Sequence, residues 1–375
     1  MKFTIKKELL LDALNKVSKA ISTKNLIPVL AGIKFELKKN KLTLTASDND
    51  ITIQTSIETA NEVDFKVESE GSIIIQGKYI LDIVRKLPDK FINIEVVDEL
   101  KILIYTENSE FNLNGISESE YPNIGLDESK KKIVLNASVF KNIVNQTAFA
   151  SSTEESKPIL TGINFNIVGD ILECNSTDSY RLARKVVKLD KSSEDNYNIV
   201  IPSHNILEFS RIITDDESDV ELHIFNNKIL FKNNNLKFES RLINGTYPNT
   251  SNLLPDDALL VVSTKLNDFY NVIDRVSILT SDKEKNVVTL ETKGNTLILR
   301  SSSAEIGRVE EKMPITKSSE ENIKISFSAK YMMEALKSFS TETVDINFVG
   351  EVKPILIKSS EDETLTQLVL PIRTY

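Results

Sequence analysis

The segment IPVLAGIKF at residues 27–35 recurs as KPILTGINF at residues 157–165, an offset of 130. Solenoid repeats are about 20–50 residues long, so a spacing of this size instead predicts a whole domain that is repeated along the chain. Further pairs recur at an offset of 126 or twice that: residues 74–81 and 200–207, Tyr121-Pro122-Asn123 and Tyr247-Pro248-Asn249, and Lys78-Tyr79 and Lys330-Tyr331. The sequence therefore predicts three copies of one domain.

Each copy contains a strand-then-helix unit twice. In the first copy, a β-rich triplet runs into an amphipathic helical pattern at residues 3–14 and again at residues 73–84. Apolar residues recur there at i, i+3 and i+4, which is typical of a helix with one buried face. The same unit recurs at Ile133–Val144, Ile199–Phe209, Leu260–Ile273 and Ile323–Leu336.

Alternating runs rich in β-branched residues lie between these units and predict strands. In the first copy they are Ile33–Leu37, Leu42–Thr45, Ile51–Ile57, Ile92–Val96 and Ile102–Tyr105. Each copy is therefore expected to be an α+β domain with two helices on antiparallel sheet. The Pro- and Gly-containing stretches Ser117–Lys132 and Asn244–Asp257 mark linkers. The predicted domains are residues 1–125, 126–252 and 253–375.

Five segments together resemble one known family. They are MKFTI at residues 1–5, IPVL at 27–30, TDSYRLA at 177–183, Tyr247-Pro248 and VLPIR at 369–373. Their order and spacing over the whole chain resemble the beta subunit of bacterial DNA polymerase III, the sliding clamp. The resemblance implies three clamp domains per chain and a head-to-tail homodimer. The ring would carry sheets outside and twelve helices inside, six from each chain.

The resemblance implies a processivity factor that encircles duplex DNA without sequence specificity. Its partners would be the replicative polymerase, the clamp loader and repair or translesion proteins, each bound through a short peptide motif. A repeat-domain scaffold that binds proteins without encircling DNA is the alternative. Retention on circular DNA that is lost on linearisation would distinguish the two.

The charge of the chain, −9, argues by itself against contact with DNA, because DNA affinity comes from cations that neutralise phosphates. The distribution is less simple. The predicted helices at 7–19, 78–90, 138–148, 203–213, 264–276 and 329–339 carry +1, +2, +1, 0, 0 and +1. They total +5, so the rest of the chain carries −14. This pattern fits basic helices facing DNA, and equally fits solvated lysines on short helices.

The DNA-facing candidates are cations on or beside the predicted helices. They are Lys24, Lys78, Arg85, Lys86, Lys141, Arg211, Lys265, Arg275, Lys330 and Lys337. Lys24 follows the first helix, where the resemblance implies a basic DNA contact. We find no recognition-helix pattern for reading bases, and a clamp held by topology needs none.

The resemblance also implies a groove for partner peptides between the second and third domains. Its residues here would be Leu160, Thr177, Ser179, Tyr180, Arg181, Leu182, Pro248, Leu253, Tyr331, Val352, Pro354, Leu368, Leu370, Pro371, Ile372 and Arg373. The apolar members would hold aliphatic side chains, while Arg181 and Arg373 would orient peptide carbonyls or carboxylates. By alternation, Leu368, Leu370 and Ile372 could equally be one face of a last strand.

The resemblance places the subunit interface on an edge strand at Lys101–Asn114. That strand would meet the third domain of a second copy at Ile278, Leu279 and the acidic stretch Glu305–Glu311, with Phe111 packed on the two apolar residues. Edge strands pair readily with other strands. The segment from Tyr105 to Glu110 has no arginine, which departs from the family pattern. We therefore expect an interface held mainly by apolar packing, and a weaker dimer.

Nothing in the composition indicates an enzyme, a metal or a cofactor. His204 and His223 do not stand in a metal-ligand spacing, and no phosphate-binding glycine motif occurs. Asp48 and Asp178 occupy equivalent positions in two repeats, which a shared turn explains better than catalysis. The single cysteine, Cys174, excludes an intramolecular disulfide and favours a cytoplasmic protein. The resemblance implies association with the nucleoid.

Overall fold

A computed structural model describes residues 1–21, 27–58, 63–255, 257–280 and 286–373. The chain forms two compact units. Unit 1 comprises Met1–Ser138 and Glu208–Leu242, and unit 2 comprises Val139–Leu207 and Ile243–Tyr375. Each unit joins parts of neighbouring repeats through a continuous sheet, so this division does not test the predicted domain boundaries, which stay predictions.

Six α-helices lie in the described residues, close to the six predicted windows. They are α1 (Lys7–Val17), α2 (Gly77–Lys86), α3 (Ala137–Thr147), α4 (Ser203–Ile212), α5 (Leu266–Ser277) and α6 (Ala329–Lys337). Spacing explains them: α5 buries Phe269, Val272, Ile273 and Val276, which return to one face every three or four residues. The side chain of Ser328 caps the start of α6.

The strands follow the same order in each repeat: a strand, a helix, further strands, a second helix and three last strands. In the first repeat they are β1 (Lys2–Lys6), β2 (Gly32–Lys38), β3 (Lys41–Ser47), β4 (Ile51–Glu58), β5 (Phe65–Ser69), β6 (Gly71–Gln76), β7 (Phe91–Asp98), β8 (Lys101–Tyr105) and β9 (Glu110–Asn114). In the second they are β10 (Ile133–Asn136), β11 (Gly162–Val168), β12 (Ile171–Thr177), β13 (Arg181–Lys188), β14 (Tyr197–Pro202), β15 (Asp219–Ile224), β16 (Lys228–Asn233) and β17 (Leu236–Arg241). In the third they are β18 (Leu260–Lys265), β19 (Val287–Lys293), β20 (Thr296–Ser303), β21 (Gly307–Pro314), β22 (Thr316–Lys317), β23 (Lys324–Ser328), β24 (Thr343–Phe348), β25 (Ile355–Lys358) and β26 (Leu365–Val369).

Unit 1 contains two antiparallel sheets. One has five strands in the order β5-β1-β7-β8-β9. The other has eight strands in the order β10-β15-β16-β17-β4-β3-β2-β6. β17 of the second repeat pairs there with β4 of the first, so backbone hydrogen bonds join the two repeats.

Unit 2 also contains two antiparallel sheets. One has nine strands in the order β14-β11-β12-β13-β26-β25-β24-β18-β22, in which β13 of the second repeat pairs with β26 of the third. The other has four strands, β21-β20-β19-β23, all from the third repeat. The α+β class and the three tandem repeats are thus confirmed.

The recurring IPVL and KPIL segments are explained by packing. Leu30 and Ile74 are buried beside Tyr121 in the first repeat. At the corresponding place in the second repeat, a small cluster forms from Leu160, Val200 and Tyr247. Burial raises the pKa of both tyrosines. The repeated motif therefore serves the core of each copy.

The expected edge strand at Lys101–Asn114 is wrong in one respect. This segment is a hairpin, in which β8 pairs with both β7 and β9. The backbone N–H of Thr106 donates to the carbonyl of Ser109 and closes the turn, at 2.9 Å. Of the two hairpin strands, β9 alone lies at an edge of the five-stranded sheet. Alternation alone did not reveal the four-residue turn, because its residues are polar like the outer face of the strands.

Candidate functional site

A cavity of about 570 Å³ opens on the surface of unit 2, between the start of α6 and the segment after β26. Its walls combine two aromatic rings, three apolar side chains and two cations. The lining residues are Tyr180, Asn286, Ser328, Lys330, Tyr331, Leu370, Pro371, Ile372 and Arg373. A largely apolar cleft with a few polar groups at its rim is suited to holding aliphatic side chains of a peptide.

A tight turn places Tyr180 at the cavity. The Asp178 carboxylate accepts hydrogen bonds from the backbone N–H groups of Tyr180 and Arg181, at 2.9 and 3.1 Å. Ser179, between Asp178 and Tyr180, has φ +80°, the left-handed conformation that such turns often require. Tyr180 is left 61% exposed and stacks on Tyr331, with ring centroids 6.4 Å apart. The aromatic wall therefore consists of one residue from each of two repeats.

The equivalent turn in the first repeat has the same hydrogen bonds. The Asp48 carboxylate accepts from the backbone N–H groups of Asp50 and Ile51, both at 2.8 Å. The expectation that Asp48 and Asp178 mark a shared turn is confirmed.

Arg181 lies behind the aromatic wall, with its side chain 10% exposed. Its guanidinium donates to the Asp178 carboxylate at 2.9 Å, to the Phe149 carbonyl at 2.7 Å and to the Glu334 carboxylate. The same group lies 4.6 Å from the centre of the Tyr331 ring, a cation–π contact. We expected Arg181 to hold a bound peptide, but its donors are directed to groups of this chain.

The segment after β26 lines the opposite side of the cavity. Two backbone hydrogen bonds fix it: Leu370 N–H donates to the Tyr180 carbonyl at 2.9 Å, and Ile372 N–H donates to the Ser326 carbonyl at 2.7 Å. Arg373 follows and contributes a cation to the rim. Leu368, Leu370 and Ile372 do not form one face of a last strand, because β26 ends at Val369.

The cavity brings together only part of the predicted groove. Leu160, Thr177, Leu182 and Leu368 are buried in the fold. Leu253 and Val352 are 48% and 61% exposed and do not line the cavity. The sequence reasoning missed Asn286 and Ser328, and it placed Lys330 with the DNA contacts although Lys330 lines this cavity. Of these residues, only Ser328 could have been predicted to line the cavity, because it lies just before α6 and close to Tyr331 in the sequence.

Two exposed strand edges, one in each unit, are further candidate surfaces. β9 is exposed at every residue except Leu113, which is half-buried, whereas β17 in the same position of the second repeat is mostly buried. β21 is likewise exposed at most residues. Phe111 on β9 is 38% exposed, and Ile278 after α5 is 73% exposed. Exposed edges with apolar side chains are typical of surfaces that pair with another strand.

The acidic stretch near β21 is already paired within the third repeat. Arg275 donates two hydrogen bonds to the Glu311 carboxylate, at 2.8 and 2.6 Å. Arg300 donates to Glu310 at 2.7 Å, and this hydrogen bond is the main reason that the pKa of Glu310 is lowered. Glu305 is exposed on the loop before β21. Glu310 and Glu311 therefore have cations of their own.

Comparison with known families finds three successive matches. The N-terminal domain of the DNA polymerase III beta subunit matches residues 1–125, its central domain residues 134–249 and its C-terminal domain residues 251–373. The chain belongs to the DNA polymerase III beta subunit family. The resemblance seen in the sequence is thereby confirmed.

Similar proteins include the beta sliding clamps of Staphylococcus epidermidis and Staphylococcus aureus. Each is 38% identical over 377 aligned residues, with 100% of both chains covered. Among solved structures, the DNA polymerase sliding clamp of Bacillus subtilis has a TM-score of 0.95 at 38% identity. The beta chain of Streptococcus pneumoniae has a TM-score of 0.93 at 34% identity, and both matches cover 100% of each chain.

The chain is therefore a sliding clamp, a processivity factor of DNA replication. A repeat-domain scaffold without a role on DNA is not favoured by these relatives.

The predicted DNA contacts differ in exposure and in whether an acid of this chain already pairs with them. Lys78, Arg85 and Lys86 are exposed on α2, with Asp82 3.9 Å from Arg85. Lys265 is the last residue of β18 rather than a helical residue. Lys141 is half-buried on α3. Lys24 lies outside the described residues.

Three further candidates have partners in this chain. Arg211 donates to Glu208 at 2.7 Å, and Arg275 is held by Glu311. Lys337 lies 5.4 Å from the centre of the Tyr270 ring. In the described residues, the α2 cations are thus the clearest candidates for phosphate contact.

One polar cluster outside these surfaces has the composition of a metal site. Glu128, Glu221 and His223 place their ligand atoms within 4.8 Å of one another. Lysine ammonium groups already pair with these carboxylates: Lys232 is 2.8 Å from Glu128, and Lys132 is 2.6 Å from Glu221. Because these cations occupy the carboxylates, the cluster is explained as an ion-pair network of the clamp.

The helices of the described residues are all too short or too polar to cross a lipid bilayer.

Proposed function

We propose that two copies of the clamp close head to tail around duplex DNA and tether polymerase and repair proteins through the unit 2 cavity. One observation supports closure: the chain builds the same strand junction twice. The fourth strand of one repeat pairs with the last strand of the next, β4 with β17 and β13 with β26. Both pairings are antiparallel.

In the third repeat the fourth strand has no such partner among the described residues, and in the first repeat the last strand has none. β21, the fourth strand of the third repeat, ends its four-stranded sheet, and β9, the last strand of the first repeat, ends its five-stranded sheet. Pairing β21 of one copy with β9 of another would join these sheets as the other two junctions do. A head-to-tail contact of this kind closes into a ring when its rotation permits.

The test of closure uses native mass and DNA topology. We expect a native mass of twice 42.2 kDa. After loading by a clamp loader, the protein should stay on circular DNA through a high-salt wash and leave when the DNA is cut once. A protein held by ionic contacts alone would leave both forms equally in salt, and that result, or a monomeric mass, would contradict the proposal.

The helix surfaces would face the DNA in the closed ring. α2 supports this role, because Lys78, Arg85 and Lys86 lie exposed on one short helix. Contacts to phosphate alone do not read sequence, which suits a protein that must slide. Of the ten predicted contacts, we retain the α2 group as primary and transfer Lys330 to the peptide cavity.

The unit 2 cavity would receive the partner peptides. Its apolar wall from Leu370 to Ile372 and its stacked tyrosines would hold aliphatic or aromatic side chains. Lys330 and Arg373 at its rim would favour a peptide with a nearby carboxylate. The predicted role of Arg181 therefore passes to these two cations.

Tyr331→Ala tests the cavity, and Tyr79→Ala is its matched control. Both tyrosines are the third residue of a helix that begins after a strand, α6 and α2 respectively. Removing the Tyr331 ring should weaken binding of a fluorescent peptide from a DNA polymerase at least about tenfold, because buried aromatic anchors often contribute 2 kcal/mol or more. Tyr79→Ala should bind normally. Equal losses in the two variants, or none, would contradict this location.

The remaining expectations concern chemistry and location. We infer that the clamp is not an enzyme and uses no cofactor, since the cluster of possible metal ligands found in the described residues is held by lysines, as Glu128 is by Lys232. We also infer a cytoplasmic protein associated with the nucleoid, because its relatives are DNA polymerase clamps.

A further inference from the structure

The two junctions within the chain share one strand register. At the first junction, Ser240 lies opposite Ile51, the first residue of β4. At the second junction, Val369 lies opposite Arg181, the first residue of β13. From these pairs each strand runs on without a bulge.

A backbone hydrogen bond fixes this register in both places. The residue after the last pair donates its N–H to the residue before the fourth strand. At the first junction, Arg241 donates to the Asp50 carbonyl at 3.0 Å. At the second, Leu370 donates to the Tyr180 carbonyl at 2.9 Å. Two independent copies of the same geometry make the register a property of the repeat.

The hairpins relate β9 to β17. Lys101 pairs with Asn114 as Lys228 pairs with Arg241, so Leu113 corresponds to Ser240. We propose that on ring closure Leu113 lies opposite Gly307, the first residue of β21 in the second copy. This inference rests on the proposed closure and adds to it the pairing of individual residues.

The register sets Phe111 opposite Val309 of the second copy. The corresponding pair at the first junction, Phe238 with Ile53, is fully buried. Phe111 is 38% exposed in the single chain, and Val309 already packs against the third-repeat core. Closure therefore extends that core by one aromatic residue.

The next residue along sets Glu110 directly opposite Glu310 of the second copy. Neither junction within the chain has such a pair: Lys237 faces Gln54 at the first, and Thr366 faces Arg184 at the second. Like charges that face each other across two strands destabilise the pairing. The subunit junction is thus the one of the three at which two acids oppose each other.

Arg300 is a cation that contacts Glu310 within the same chain. It lies opposite Glu310 in the pairing of β20 with β21, and it also donates to Glu291. Lys312 lies 3.4 Å from Glu310. Closure adds Glu110 to carboxylates that already share these cations. The acid pair accordingly opposes closure of the ring, and it is offset in part by Arg300 and by Arg308, which this register sets diagonally to Glu110.

Engineered disulfides test the register. Asn112 and Arg308 should face each other, so Asn112→Cys with Arg308→Cys should cross-link two chains under mild oxidation. Asn112→Cys with Glu310→Cys sets the cysteines diagonally, beyond the Cα separation of about 7 Å that a disulfide spans, and should not. Cys174 is buried and does not compete. A native dimer that cross-links only in the second variant overturns the register, whereas a monomeric native mass overturns the ring itself.

Charge reversal tests the acid pair. Glu110→Lys should tighten the dimer about two- to fivefold by analytical ultracentrifugation, the range expected from removing one facing like-charge pair. Glu107→Lys, in the turn of the same hairpin, changes the net charge equally and should alter the dimer constant much less. Arg300→Gln should weaken the dimer, and combining it with Glu110→Gln should recover part of the lost affinity. Equal effects of the two lysine variants, or weaker dimers with Glu110→Lys, would overturn the proposal.

Discussion

Arg181 shows how far a residue type can mislead about its role. A cation beside an expected peptide groove suggests a ligand contact, yet its guanidinium is directed to Asp178, Glu334 and the carbonyl of Phe149. Its cation–π contact with Tyr331 orients the ring that lines the cavity. In the proposed peptide site, Arg181 is therefore a positioning residue.

Arg181→Met should lower the stability of the clamp. The change leaves the carboxylates of Asp178 and Glu334 without their cation, and breaking a buried ion pair costs about 3–5 kcal/mol. Because the Glu334 side chain is 36% exposed, we expect a loss near the lower end, about 3 kcal/mol, by urea unfolding. Lys188→Met is the control on the same strand. Lys188 and its partner Asp170 are largely exposed, so that variant should stay within about 0.5 kcal/mol. A similarly small effect of Arg181→Met would show that these ion pairs do not stabilise the fold.

At the scale of elements, the linker after the first repeat is held down by one sheet. The Lys228 and Lys237 side chains donate to the carbonyls of Gly125 and Leu126, both at 3.2 Å. Lys232 and Lys237 also hold the Glu128 carboxylate, at 2.8 and 2.9 Å. The polar, acidic segment that the sequence predicts to be a linker is thus bound to the second repeat.

The Glu128 contact should make the linker sensitive to acid. The hydrogen bond from Lys232, followed by that from Lys237, lowers the pKa of Glu128 from 4.5 to about 2. A depressed pKa contributes stability above the unfolded value of 4.5 that is lost as the pH falls towards 2. Glu128→Gln should therefore be less stable than the parent protein at pH 7, and the difference should narrow between pH 5 and pH 3.

The size of that difference is limited by exposure. The Glu128 side chain is 36% exposed, so solvent screening holds its contribution below about 1 kcal/mol. Urea unfolding across the pH range measures it, with Glu155→Gln on an exposed loop as the control. A difference that stays constant or grows towards acid pH would show that the lysine contacts do not stabilise the ionised form.

At the scale of the whole molecule, the net charge conceals the surface that matters. The chain carries −9, yet α2 presents three exposed cations. Each phosphate contact lowers the slope of log affinity against log salt by about 0.9. Two cations lost from α2 should therefore be visible in the salt dependence of DNA binding.

Arg85→Gln with Lys86→Gln should reduce the salt slope for unloaded clamp on duplex DNA by up to about 2. Arg275→Gln is the control, because Glu311 already holds that guanidinium. Fluorescence anisotropy over a salt series measures both. If Arg275→Gln changes the slope as much as the α2 variant does, α2 is not the preferred phosphate contact.

Much of the fold could be predicted from sequence because its determinants are local. The strand-then-helix units and the turns capped by Asp48 and Asp178 depend on spacing and turn chemistry within a few residues. The hairpin from β8 to β9 was missed, since polar turn residues continue the pattern of a strand. Of the cavity, Tyr180, Tyr331 and the segment after β26 were predicted from the family resemblance rather than from any pattern of their own.

By itself, the sequence determined the number of repeats, the class of each and the family. Repetition and periodicity act along the chain and need no knowledge of contacts across it. Only the tertiary structure decided that Arg181 is directed inward, that Lys330 belongs to the cavity and that β4 and β13 pair with the last strands of the next repeats. Those outcomes depend on which groups meet across long sequence separations, where burial and hydrogen bonding are settled by packing.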